Sequence, residues 1–242
     1  PGVLFLDEIN AAPPLVQASL YQLVLDRRVG EYVLPEGWWI VAAGNRQQDR
    51  AVTFRMSSAL ANRFVHITLE ANIDDWRDWA IGAGVDPIVV SFLGFRPALL
   101  LEEPGAAPAY ATPRSWEMLS DVLRQFGDPS SCSDLIPGIV GDGPSREFLA
   151  FVKSAASRTM LEAILADPAG AVLPQSLDRL YVVTSWLAHG AAREEMAAAA
   201  SILLRRLPAE FAVILARDML RARPGFARDP NYREFMRDNA AL

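Results

Sequence analysis

Strand-type sequence is confined to the first seventy residues of this 242-residue chain, and that asymmetry limits the folds open to it. Two short apolar runs, at residues 3–6 and 38–43, read as strands, and residues 65–69 read as a third. An unbroken apolar run is the pattern of a strand covered on both faces, as in a parallel sheet. Between the first two, residues 13–28 open on Pro13-Pro14 and carry Leu15, Leu20, Leu23 and Val24 at helical spacing. Residues 29–34 alternate and lead into the turn Pro35-Glu36-Gly37, which predicts a small hairpin over 28–37. Residues 54–62 predict a short helix. From Ile73 onward no strand pattern returns. Helices are expected over 73–84, 87–95, 112–126 and 144–166, with several more over 175–242. The stretches 102–111, 128–133 and 168–174 read as connections. The expected fold class is therefore α/β followed by all-α. The expected segments are 1–70, 71–167 and 168–242.

Composition excludes several functions. The chain is 51% hydrophobic and 21% charged, an ordinary globular balance. Its one cysteine, Cys132, allows no internal disulfide, and a lone thiol in an Arg-rich chain fits a reducing, cytoplasmic compartment. No signal-peptide pattern and no bilayer-length apolar run is present. His66 and His189 have no cysteine companions, which argues against a zinc site. A net charge of −6 argues against a broad nucleic-acid surface. Lys153 is the only lysine, and no glycine-rich loop leads into it. A loop that cradles phosphates needs glycines followed by Lys and Ser or Thr, so none is expected here. The chain opens on Pro1 directly before a strand, and the expectation is a piece of a longer protein.

Residues 3–6 stop on Asp7-Glu8. In open α/β sheets, ligand chemistry lies just beyond the carboxyl ends of strands. One carboxylate there can hold Mg²⁺ through oxygen, and its neighbour can orient or deprotonate a water. The plainer alternative is that Asp7 or Asn10 caps the helix that follows. Asn45 ends the second strand after Gly44. Its amide can donate and accept, or it can simply form a turn. Arg63 precedes the third strand and is either a cation for a neighbouring anion or a surface ion pair of little worth. Arg55 competes for the same role. Arg114 falls in the first turn of a helix opened by Thr112 and Pro113. The helix dipole disfavours a cation there by about 0.3–1 kcal/mol, which points to a nearby anion such as phosphate. The alternative is pairing with Glu117 one turn on.

Taken together these segments resemble the AAA+ ATPases, and within them the MoxR-like group. Gly2-Val3-Leu4-Phe5-Leu6-Asp7-Glu8-Ile9-Asn10, followed by Pro13-Pro14 and Gln17, resembles that group's Walker B segment and the helix after it. Val41-Ala42-Ala43-Gly44-Asn45 resembles its sensor 1 strand. Leu60-Ala61-Asn62-Arg63-Phe64 resembles its arginine-finger segment, with Asn62 where the family has Asp. Ala111-Thr112-Pro113-Arg114 resembles sensor 2 at the start of a lid helix. The hairpin over 28–37 resembles the pre-sensor 1 hairpin, which faces a central pore or substrate; the alternative is an excursion with no contact role.

The resemblance implies a partial AAA+ core, a three-strand parallel remnant, with a helical lid and a C-terminal helical extension. It implies ATP and Mg²⁺, with Asp7 supporting the metal and Glu8 polarising the attacking water. Asn45 would hold that water or touch the γ-phosphate. Arg63 would act as an arginine finger on a neighbouring subunit's nucleotide, and Arg114 would contact phosphate. The implied assembly is a homo-oligomeric ring, a hexamer, which couples ATP hydrolysis to remodelling or activating a client protein. The family's Walker A loop has no counterpart here, so this chain alone is expected to be inactive. A second class is a non-hydrolysing helical interaction module with a vestigial half-core. A third is another Mg²⁺-dependent phosphotransfer or nuclease enzyme, disfavoured by the lack of a further acidic cluster near Asp7 and Glu8.

Overall fold

The strand signals yield two short pairings. β1 (Gly2–Leu6) and β4 (Trp38–Ala42) run parallel, with Gly2 opposite Trp38 and Leu6 opposite Ala42. β2 (Arg28–Val29) and β3 (Tyr32–Val33) form an antiparallel hairpin. The computed structural model describes residues 1–45, 54–105, 107–155 and 158–239. Within them the chain is mostly helical, and it divides into two units, Pro1–Glu70 and Ala71–Leu242.

Two expectations about the first unit are corrected. The third strand does not form. Residues 65–69 carry no ladder, and Val65, Ile67 and Leu69 are 90%, 81% and 90% exposed. A strand is stabilised by ladder bonds and cross-strand side-chain pairs, so apolar sequence alone does not make one where no neighbour is available. Among the described residues the parallel sheet is therefore two-stranded, not three-stranded. Nor are β1 and β4 covered on both faces. Their burial alternates, and the register sets exposed Val3 beside exposed Trp39 and exposed Phe5 beside exposed Val41. One face of the pair is thus an uncovered apolar strip.

α1 (Pro14–Asp26) starts with proline in its first turn and ends at Arg27, whose φ of 57° closes the helix in the left-handed region. It buries Leu23 and Gln17, and the Gln17 amide donates to the Ala12 carbonyl at 2.9 Å. The helix expected over 54–62 is the single turn α2 (Ser58–Ala61).

Among its described residues the second unit has helices and no strands. α3 (Ile73–Ala83), α4 (Pro87–Phe95) and α5 (Pro113–Phe126) open on the side-chain caps Asn72, Asp86 and Thr112. α6 (Ile136–Val140) follows a 3₁₀ turn, Pro129–Cys132, inside the stretch expected as loop. The helix expected over 144–166 is described as α7 (Asp142–Ala155) and α8 (Arg158–Ala166), with 156–157 outside the described residues. α9 (Leu177–His189), α10 (Glu194–Leu203), α11 (Ala209–Ala222) and α12 (Pro230–Asp238) complete the unit.

This unit has two apolar cores. One centres on Phe92, Trp116 and Phe148, with ring centroids 5.4 Å apart for both Phe92 pairs. The Trp116 indole N–H donates to the Leu99 carbonyl at 2.8 Å. The other core gathers Leu187, Met196, Leu203, Leu215 and Met219. The segments expected as lid and extension, 71–167 and 168–242, are not separate units but parts of this one. α9 serves both cores, Val182 joining the first and Val183 the second. No helix among the described residues is long and apolar enough to cross a membrane.

Candidate functional site

The parallel pairing of β1 and β4 brings the acidic pair and Asn45 to one end of the sheet. Pairing continues past the strand ends: Ala43 N–H donates to Leu6 O and Ile9 N–H to Ala43 O, both at 2.9 Å. Asp7 and Glu8 are exposed there, and Asp7 Oδ1 accepts the Glu8 backbone N–H at 2.9 Å. Glu8 has φ 51°. For a residue with a Cβ this left-handed conformation costs about 1–3 kcal/mol, and such residues cluster at functional sites. Neither Asp7 nor Asn10 caps α1. Pro13 occupies that position and makes no side-chain cap bond.

Asn10 instead reaches Asn45. Its Nδ2 donates to the Asn45 carbonyl at 2.5 Å, and its Oδ1 accepts the Asn45 N–H at 3.2 Å. The Asn10 carbonyl accepts the Phe54 N–H at 2.7 Å. Asn45 stands out in the sequence as a site candidate, whereas Asn10 stands out only as a cap candidate and as the last residue of the Walker B-like segment.

Arg63 follows α2. Ser57 caps that turn, its Oγ accepting the Leu60 N–H at 3.2 Å, and the Tyr21 hydroxyl from α1 lies 2.5 Å from the same Oγ. The Arg63 guanidinium donates to the Ala59 carbonyl and stands 5.9 Å from the centre of the Tyr21 ring. That is within cation–π range. Among the described residues no carboxylate pairs with Arg63. Arg63 lines an open groove with Asn62, Phe64 and His66. The rival Arg55 is exposed.

Arg114 belongs to the second unit. Thr112 Oγ1 accepts the Ser115 N–H at 3.0 Å and Ser115 Oγ accepts the Thr112 N–H at 2.8 Å, a reciprocal cap. Pro113 sits in the first turn as expected. Arg114 is exposed, and among the described residues it makes no ion pair with Glu117.

The same unit holds a charge cluster that the sequence does not announce. Arg77 Nη2 donates to Asp218 Oδ2 at 2.8 Å, with both side chains buried. Arg217 and Arg221 also face Asp218, while Asp74 pairs with Arg217 and Asp78 with Arg221. Burial pushes the Asp218 carboxyl above its usual range, although Arg77 and Arg217 pull it down. The hydrogen bond from Arg217 holds Asp74 below that range, against some desolvation.

Among the described residues no group of three or more His, Cys, Asp or Glu side chains is arranged to hold a metal. One or two carboxylates still suit Mg²⁺, which takes most of its shell from water and substrate phosphates. Compared with known proteins, the chain matches no family model, no curated protein and no solved structure.

Proposed function

We propose that this chain is part of a MoxR-like AAA+ ATPase, a cytoplasmic ring protein that couples ATP hydrolysis to remodelling or activating a client protein. The observation that carries the reading is the convergence of Asp7, a left-handed Glu8 and Asn45 at the carboxyl end of a parallel strand pair. Phosphoryl transfer asks the protein mainly for positioning and charge stabilisation. Asp7 would give Mg²⁺ an oxygen, directly or through water. When bound, that ion neutralises charge on the phosphates. Glu8 orients the attacking water and accepts its proton, and the Asn45 amide holds the water or the terminal phosphate. Arg63 lies in an open groove and makes no ion pair among the described residues, which suits a finger that reaches a neighbouring subunit. Such fingers are worth about 10³–10⁵ in rate. Arg114 offers an exposed cation at a helix start.

The unpaired residues 65–69 favour a core completed by a further strand and its phosphate-binding loop, and the uncovered strip of Val3, Phe5, Trp39 and Val41 favours a layer packed over that face. Reading the coding sequence upstream of the Pro1 codon tests this. A glycine-rich loop ending in Lys-Ser or Lys-Thr supports it. A stop codon immediately upstream replaces it with the non-hydrolysing interaction module.

Two measurements bear on the parts. Isothermal titration of residues 1–242 with Mg-ATP is expected to show no saturable binding, because no glycine-rich loop with its lysine is present to hold the phosphates. Micromolar binding would mean that the phosphates are held by other groups. In rings that carry the loop, Arg63→Ala subunits should hydrolyse poorly alone and recover activity when mixed with Glu8→Gln subunits. The two defects then lie on opposite sides of a shared site. No recovery on mixing assigns Arg63 to its own subunit.

A further inference from the structure

The Asn10 side chain spends both its polar atoms on the backbone of a residue 35 positions away. Donor and acceptor of one amide meet acceptor and donor of one residue, as a paired strand residue would. The contact extends the β1–β4 pairing beyond Leu6 and Ala42, after the bonds made by Ala43 and Ile9.

Gly44 leaves room for this contact. A Cβ added there would lie 2.4 Å from Asn10 Oδ1 and 3.0 Å from its Cγ. Unlike Gly30, Gly37 or Gly84, Gly44 has no positive φ to explain its identity. A side chain at position 44 would push the Asn10 amide out of this position.

We infer that Asn10 is a positioning residue for Asn45, through a two-point clamp that only glycine at position 44 admits. Glu8 and Asn10 share one short segment, so the clamp ties the placement of Asn45 to that of Glu8. Asn10 itself touches no reacting group. The role in hydrolysis rests on the proposed function; the clamp does not.

Amide hydrogen exchange on the 242-residue chain tests the clamp. Asn10→Ala should speed exchange at the Asn45 N–H by about ten-fold, the equivalent of one ordinary net hydrogen bond. The Leu60 N–H, held by Ser57, should be unchanged and serves as the control for local unfolding. Asn10→Asp sets a carboxylate oxygen against the Asn45 carbonyl in place of the donor, so it should also speed exchange at the Asn45 N–H. Gly44→Ala should reproduce the acceleration in the parent background and add nothing on top of Asn10→Ala. Unchanged exchange at Asn45 in Asn10→Ala overturns the clamp, as does full additivity with Gly44→Ala.

Where a phosphate-binding loop is present, Asn10→Ala should lower kcat with little change in the KM for ATP. Asn45→Ala on top should cost nothing more. If the exchange results hold while Asn45→Ala leaves hydrolysis intact, the clamp stands and the catalytic assignment of Asn45 fails.

Discussion

Glu8→Gln is expected to leave ATP binding intact and slow hydrolysis by about 10²–10⁴-fold in a protein that carries a phosphate-binding loop, the scale of a lost general base. Glutamine keeps the size and hydrogen-bonding reach of glutamate but does not take a proton from water. It also meets the left-handed backbone at φ 51° much as glutamate does, so the loss is chemical and not conformational. A companion variant separates the two. Glu8→Gly relieves the strain of a Cβ in that region and should raise the stability of the first unit by about 1 kcal/mol while abolishing hydrolysis. Stability gained as activity is lost would show that the strain is kept for function. Single-turnover hydrolysis and thermal unfolding are the two measurements. Near-normal turnover in Glu8→Gln would remove Glu8 from the mechanism.

Breaking the Arg77–Asp218 pair should have the largest effect on stability. The side chains are 4% and 0% exposed and join α3 to α11. Arg77→Met leaves a buried carboxylate short of its main partner, and Asp218→Leu leaves a buried guanidinium. Either alone is expected to cost about 3–5 kcal/mol. The double variant should recover most of that, because two apolar side chains of similar volume replace both charges. The Arg77 guanidinium also stands 6.0 Å from the Tyr181 ring centre, so part of its contribution is packing against α9. Urea unfolding followed at resonances of α3 and α11 gives the coupling energy, and additive losses would deny the pair any mutual stabilisation.

The pH dependence has a definite sign. The folded-state value of Asp218 is raised above the ordinary 3.8, so the folded chain holds that proton more tightly than the unfolded chain. Its contribution to stability is full below the unfolded value and is lost as pH rises through the folded one. Arg77→Met removes an opposing pull and should steepen the loss. Asp74, held low mainly by Arg217, acts in the opposite sense: its stabilisation is present above the ordinary carboxylate value and is lost on acidification.

Local chemistry made the helices of the second unit legible in the sequence. α4 begins at Pro87 after the Asp86 cap and α5 at Pro113 after the Thr112 cap, where proline and an oxygen-bearing side chain satisfy the first turn without help from the rest of the fold. The acidic pair at the end of β1 and the amide at the end of β4 were legible for a similar reason, since an apolar run that stops on polar residues marks a strand end. Residues 65–69 set Val65, Ile67 and Leu69 at the alternate spacing of a strand and form none, because a strand exists only in its pairing. Glutamate gives no sign of a left-handed backbone, which sequence suggests only at glycine, asparagine or aspartate, so the strain at Glu8 was invisible. The clamp of Asn10 on Asn45 depends on the register of two strands, and the Arg77–Asp218 pair joins residues 141 apart. Caps and turns are decided within a few residues of chain. Pairings at long separation are decided only when packing brings their partners together, because no residue type encodes the address of its partner.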